Sequence, residues 1–395
     1  MILKRRAALL LTIVLAACAH GSHVIPLPQQ NNAPLALDSL KALPGDSLKA
    51  LPGDSLKALP GAAFACTSLL TADRGSCSVA VNTNIKPQSS PTTPLSLLDG
   101  LKPTDLQSRY LLPSANAGGL VAIVDAYDDP SAEAEMGVYR ATMGLPACTT
   151  ANGCFRKLNE AGVAGSYPAP NTGWSVEVAL DLDVVSAVCP HCKIALVEAR
   201  SSSLTDLGET VDTAAALHPR AVSNSYYAPE TPDETNFEKY YTHSGMVITV
   251  SSGDEAAAFY PAASVHVLSV GGTTLDGSAG AWNEKPWFAG GQGCSAYLAA
   301  PVWQHTACRT RSTVDLAAVA DPQTGVTIFS LPAGGWVVAG GTSIGAPLIA
   351  AAYALSNNAS YIEYPYGHRS GFYDIPPAGF DYATGLGTPR GVAGL

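Results

Sequence analysis

The chain is short of charge, and of positive charge above all. Charged residues make up 14% of its 395 positions, with 22 Lys and Arg against 32 Asp and Glu and a formal net charge of −10. So few cations argue against nucleic acid as a partner. No apolar run beyond the N-terminus is long and uninterrupted enough to span a bilayer. Eight histidines are present, and none sits in a catalytic context such as His-Gly-Thr. Only one Cys-x-x-Cys spacing occurs, Cys189 to Cys192, where a thiolate zinc site needs two.

Against these absences stands Gly340-Gly341-Thr342-Ser343-Ile344-Gly345-Ala346-Pro347, entered by apolar Trp336–Ala339 and left by apolar Leu348–Ala352. This reads as a buried strand ending in glycines, with a serine at the first turn of an apolar helix. Proline is tolerated there because early helix amides have no intrahelical acceptor to lose. The glycines permit a tight turn and close approach of another chain, and amides at a helix start favour negative charge. The setting suits a nucleophilic Ser343; the alternative is a Gly-rich turn with a capping serine.

A serine hydroxyl needs a base, and carboxylates are better placed than histidines. Glu177 and Asp181 stand four apart in an apolar segment, Gly173–Asp183. On a helix that spacing puts them on one face. Two carboxyls so close tend to share a proton and could serve as a base in acid, where imidazole is protonated. Alternating Val176, Val178, Leu180, Leu182 and Val184 equally fit an amphipathic strand with the acids on a solvated face. A third acid, Asp254, follows the apolar run Met246–Val250 at a Ser251-Ser252-Gly253 turn, where open α/β sheets build their sites.

Together these pieces, in this order, resemble the sedolisin family of serine-carboxyl peptidases with a subtilisin-like fold. The likeness runs from about Gly100 to Leu395 and includes Ser269–Thr274 and Tyr382–Pro389. It implies Ser343 as nucleophile, Glu177 as base, Asp181 as the acid that orients Glu177, and Asp254 as the oxyanion-hole donor. A carboxyl donates to an oxyanion only while protonated, so the resemblance implies an acidic optimum. Val121–Asp125 is similar to the first strand of subtilisin-like peptidases, which implies that Asp125 lies near the dyad and adds a hydrogen bond to it; Asp128 and Asp129 read as loop acids. The resemblance also implies a calcium site from Asp374, Asp381 and the carbonyls of Ile375 and Gly379, although Pro376-Pro377-Ala378 shortens the loop between them. Two acids capping a tight turn is the other reading.

At the N-terminus, Lys4-Arg5-Arg6 precedes a short apolar stretch ending in Leu15-Ala16-Ala17-Cys18, which makes residues 1–18 a signal segment. Leu-Ala-Ala-Cys resembles a bacterial lipobox, which would lipidate Cys18 and place the protein at the outer membrane or cell surface; plain secretion is the alternative. Residues 19–65 read as a tether holding three copies of Asp-Ser-Leu-Lys-Ala-Leu-Pro-Gly at 38–61. Residues 66–99 form a short Cys-containing extension, and 100–395 the peptidase-like domain. That arrangement leaves little room for the large folded propeptide usual in the family, so autoactivation of the family's kind is not expected.

Eight cysteines besides Cys18 suit disulfides in an exported chain. Sequence neighbours pair most simply: Cys66 with Cys77, Cys148 with Cys154, Cys189 with Cys192, and Cys294 with Cys308. Cys189-Pro190-His191-Cys192 also fits a redox motif, but the fold context for one is missing. Apolar runs at 119–125, 194–198 and 246–251, alternating with helices such as 204–217, give an α/β fold with a doubly wound, mostly parallel sheet and helices on both faces. The expectation is a monomeric peptidase acting on peptide or protein substrates. Two rivals stay open: a non-catalytic surface binding protein on a peptidase fold, and an esterase, since Gly341-Thr342-Ser343-Ile344-Gly345 matches the Gly-x-Ser-x-Gly elbow.

Overall fold

The apolar runs become the middle of one sheet in a computed structural model that describes residues 59–66, 70–113, 118–356, 358 and 361–395. The signal segment, Cys18 and the repeats up to residue 58 lie outside the described residues. Three short strands come first: β1 (Ala62–Phe64), β2 (Ser76–Cys77) and β3 (Ala80–Asn82). The central strands follow as β4 (Leu120–Ala126), β5 (Phe155–Asn159), β6 (Lys193–Ala199) and β7 (Ala221–Asn224), then β8 (Tyr226–Pro229) and β9 (Val247–Ser251). Beyond them lie β10 (Phe259–Tyr260), β11 (Leu268–Asp276), β12 (Asn283–Pro286), β13 (Cys294–Ala299) and β14 (Thr310–Ser312). The last that concern the site are β15 (Leu316–Val319), β16 (Val326–Ser330) and β17 (Gly335–Gly340).

The central sheet runs β12-β11-β9-β7-β4-β6-β5, with β15 also paired to β11. All its pairings are parallel except the antiparallel β12 edge. Strands buried on both faces need apolar residues at nearly every position, which is why 120–126, 193–199 and 247–251 lack polar alternation. The helices between them are α1 (Pro103–Tyr110), α2 (Ala132–Thr142), α3 (Thr172–Val188), α4 (Leu204–Ala215) and α5 (Gly345–Leu355). Helices α3 and α5 pack on each other and over β4, β7 and β9, while α4 covers the opposite face of β4 and β6. The α/β, mostly parallel, doubly wound architecture is the one expected.

Helix α3 resolves the ambiguity between helix and strand at Glu177 and Asp181. Asn171 caps it, its side-chain oxygen accepting from the amides of Gly173 at 3.0 Å and Trp174 at 3.1 Å. Every residue from Trp174 to Val188 is buried, so the apolar residues that mimic strand alternation surround the helix instead. Asp183, on the same helix, accepts the Phe329 amide at 2.9 Å and ties α3 to β16. The Cys189–Cys192 disulfide closes the turn that leads from α3 into β6.

Two boundaries differ from the sequence reading. The tether expected over 19–65 ends in β1, which pairs antiparallel with β3. The extension expected over 66–99 is built into the peptidase-like part: β3 pairs with β17 and β2 with β8. Backbone groups at strand edges need partners, and these edges find them in residues upstream of 100. The structure joins Cys66–Cys77, Cys148–Cys154, Cys189–Cys192 and Cys294–Cys308.

Replacing Asn171 by Ala removes the acceptor for two amides at the start of α3. It is expected to cost about 1 kcal/mol, read as a lowered midpoint in urea unfolding.

Candidate active site

Four parts of the chain deliver the acids and the serine to one place. Helix α3 carries Glu177 and Asp181 one turn apart, β4 carries Asp125 near its C-terminal end, and the turn after β9 carries Asp254. Ser343 lies in a single 3-10 turn, Thr342–Ile344, between β17 and α5 rather than inside the α-helix. Its neighbour Gly341 has φ of +108°, where a side chain is strained, and an added Cβ would stand 1.7 Å from the Ser78 carbonyl oxygen and 2.7 Å from Asp254 Oδ2. The turn must therefore carry glycine at 341.

Asp254 is held by one edge. Its Oδ1 accepts both the amide and the hydroxyl of Thr342, each at 2.8 Å, and Thr342 Oγ1 accepts the Gly253 amide at 3.1 Å. Oδ2 is buried and has no partner. Burial raises the Asp254 pKa to about 7, against the hydrogen bonds from Thr342, which lower it. In acid its carboxyl is thus neutral, and the proton belongs on the unpartnered Oδ2. This is the arrangement a carboxylic acid needs to donate to a developing oxyanion.

Asp181 is fixed by Ser225, whose hydroxyl lies 2.9 and 3.0 Å from the two carboxyl oxygens and 3.4 Å from the Ser343 carbonyl. Glu177 has neither oxygen in a hydrogen bond, and Ser343 Oγ is equally without a partner. The two nonetheless face each other: the Ser343 hydroxyl and the Ser78 amide both pull the Glu177 pKa down. Burial dominates and raises it, with the charges of Asp125 and Asp254 acting the same way. Asp181 is raised by burial and by Asp125 and Glu177. Asp125 is fully buried and makes no hydrogen bond, so it acts on the dyad through charge rather than through the hydrogen bond expected of it; burial and Asp129 raise its pKa to about 8. Four carboxyls thus share a dry space, the condition under which they hold protons jointly.

The structure refines one reading and adds three residues. Asp128 pairs with Lys157; Asp129 lies in the loop after β4 as expected, but it is buried, and burial raises its pKa to about 6. Ser78, Ser225 and Thr342 were not singled out from the sequence. Thr342 stood inside the serine box, and Ser225 follows an apolar strand as Asp254 does, but nothing in the sequence places Ser78 here. At the expected calcium site, Asp374 accepts the Gly379 amide at 3.1 and 2.9 Å. Asp381 accepts the amides of Ala383 at 2.8 Å and Thr384 at 2.9 Å, and the Thr384 hydroxyl. Both acids thus cap their own turns, the other reading made of them from the sequence.

No family model matches the chain. Kumamolisin from Bacillus sp. (strain MN-32) is 27% identical over 358 residues, covering 73% of this chain and 62% of kumamolisin. Sedolisin from Pseudomonas sp. (strain 101) is 33% identical over 147 residues, covering 29% of this chain and 24% of sedolisin. The chain thus spans less than two thirds of the length of either relative. The structure of Pseudomonas sedolisin, a serine-carboxyl proteinase complexed with two molecules of pseudo-iodotyrostatin, shares the fold with a TM-score of 0.65 at 22% identity, over 74% of this chain and 96% of that one.

The raised carboxyls fix the sign of the pH dependence of stability. Each binds its proton more tightly folded than unfolded, so stability falls as pH rises from the ordinary carboxyl range, about 4, through about 7 for Asp254 and about 8 for Asp125. Tm by calorimetry is expected to be highest in acid and to decline toward pH 8. Asp125→Asn, which stays neutral throughout, is expected to flatten that decline.

Proposed function

We propose that this chain is a serine-carboxyl endopeptidase of the sedolisin family that hydrolyses peptide bonds in acid through Ser343, Glu177, Asp181 and Asp254, a reading supported by its similarity to kumamolisin and sedolisin and by the shared fold. The observation that carries the reading is Asp254: a buried carboxyl tied at Oδ1, free at Oδ2, and neutral in acid. Ser343 Oγ attacks the substrate carbonyl carbon and its proton passes to Glu177. The carbonyl oxygen becomes negative as the tetrahedral intermediate forms, and the Asp254 proton meets it. Glu177 then gives the proton to the leaving amine, and water takes the amine's place to release the acyl group from Ser343. Asp181, held by Ser225, and Asp125 keep a proton or a negative charge next to Glu177 as it changes state. The same desolvation that holds Asp254 neutral would hold all four neutral at very low pH, so the base limits the acid side and Asp254 the alkaline side.

We also propose that the chain is exported and anchored through a lipid on Cys18, the reading that residues 4–18 support. Cys18→Ser is expected to abolish labelling by radioactive palmitate and to move the protein from the membrane to the soluble fraction. Unchanged fractionation would overturn the anchor.

Hydrolysis of a peptide substrate by the full chain is expected to peak below neutral and to fall as pH rises through about 7, where Asp254 ionises. Ser343→Ala is expected to remove activity, and Asp254→Ala to lower kcat by roughly 100- to 1,000-fold. Activity that survives Ser343→Ala, or a rate that climbs above pH 8, would overturn the mechanism.

A further inference from the structure

Two buried acids beside the dyad, Asp129 and Glu198, have no part in the mechanism. Asp125 on β4 stands opposite Glu198 on β6 in the parallel register, and Lys157 on β5 stands opposite Leu196, two residues before Glu198. Residues two apart on a strand share a face, so Lys157, Glu198 and Asp125 line one face of the sheet. The charge of Asp125 acts on both Glu177 and Asp181, which places the dyad at the Asp125 end of this row. Asp129, in the loop after β4, joins it: its amide donates to Glu198 Oε1 at 2.9 Å, and its charge acts on Asp125. Both oxygens of Asp125, Oδ2 of Asp129 and Oε2 of Glu198 are buried without a partner. Among the described residues no hydrogen bond bridges Asp125 and the dyad, so what passes between them is charge.

At its other end the row meets a cation. Lys157 Nζ donates to the Asp128 carboxylate and, at 2.6 Å, to the Asp129 carbonyl oxygen; it lies 3.2 Å from Glu198 Oε1 and 4.4 Å from the centre of the Tyr167 ring. Burial works against its charge, but Asp128 and Glu198 outweigh burial and raise its pKa. Burial is the main cause that raises Asp129 and Glu198, and on both of them Lys157 acts downward and Asp128 upward. Helix α2 adds Glu135, which spends Oε1 on the Leu331 amide at 3.1 Å, and Arg140, which is turned to the carbonyls of Pro146 and Pro190 and the Ser186 hydroxyl. Helix α3 adds Asp183, bonded to the Phe329 amide, and just past β5 and β6 Glu160 and Asp206 pair with Arg200. Among the described residues, no other Lys, Arg or His forms an ion pair with Asp125, Asp128, Asp129 or Glu198.

A base that works in acid must carry its negative charge in a dry space, where each uncompensated anion nearby makes that charge costlier. We propose that Lys157 is a positioning residue for the reaction: its ammonium balances the carboxylate of Asp128 and so lets Glu177 and Asp181 hold the single negative charge that makes them the base. The inference takes the dyad's role from the peptidase reading; the charge balance itself rests on the row alone. Asp254 lies outside the row, with Glu255 as the charge that acts on it. Lys157 therefore governs the acid side of the pH profile and leaves the alkaline side in place.

Charge balance gives two single substitutions in the full chain opposite signs. Lys157→Met leaves the Asp128 carboxylate unopposed, so the acid limb of kcat/KM is expected to move to higher pH by about half a pH unit or more, about a threefold loss of activity at a fixed pH on that limb. Asp128→Asn leaves the ammonium unopposed and is expected to move the limb as far toward lower pH; it carries the test alone if Lys157→Met does not fold. Lys157→Arg keeps the charge, and Lys157→Met with Asp128→Asn removes both charges; each is expected to leave the limb near its wild-type position. A purely structural Lys157 would instead lower the rate at every pH, and the double variant would be no better than the single. Acid limbs that stay in place in the folded single variants, or that move in the same direction, overturn the proposal. Carbon-13 NMR of labelled carboxyls reads the same balance without substrate: the Glu177 midpoint is expected to rise in Lys157→Met, fall in Asp128→Asn and return in the double variant. Midpoints that move so in a protein that cleaves no peptide overturn the peptidase reading and leave the charge balance standing. Unmoved midpoints in an active enzyme do the reverse.

Discussion

Everything at the site depends on burying carboxyls without cations. Among the described residues, no Lys, Arg or His forms an ion pair with Asp125, Glu177, Asp181 or Asp254; Lys157 goes to Asp128 and Glu198, and Arg311 to Asp315. An ionised carboxylate in such surroundings is costly, so the group responds by keeping its proton. The fold pays for this arrangement with its core: α3 is buried along its whole length so that two acids can be presented inward, and α5 is apolar throughout behind the nucleophile. Small hydroxyl donors replace charges as positioning groups, Ser225 at Asp181 and Thr342 at Asp254.

How much of this was legible in the sequence follows from how local each constraint is. The serine box could be read because its glycines answer to a turn within a few residues. The Glu177–Asp181 spacing carried a face but not an element; period two and period four coexist in that segment, and only the Asn171 cap and burial on all sides select the helix. Asp254 was visible because it ends an apolar strand. Asp129 was not, since its burial comes from neighbours distant in sequence, with Glu198 accepting its amide at 2.9 Å. The calcium expectation came from resemblance, whereas the capping of a turn by each acid is local and was open to the sequence.

The N-terminal strands were the least legible part. Residues 62–82 are rich in small and apolar side chains but form only strands of two or three residues, too short for a periodic signal, because strand pairing through the backbone asks little of side-chain identity. Gly341 and Gly173 record the contact better than the strands themselves. A Cβ on Gly173 would lie 2.5 Å from the Ala65 carbonyl oxygen, just as one on Gly341 would strike that of Ser78. Glycine there marks the path of another stretch of chain, a cue that emerges only when the two stretches are seen side by side.

The four disulfides follow one another without crossing. Their partners stand 11, 6, 3 and 14 residues apart, and each pair is complete before the next begins. Eight cysteines allow 105 pairings, and in each native pair the partner is the nearest of the eight in sequence, so every bridge closes a short loop at a small cost in chain entropy.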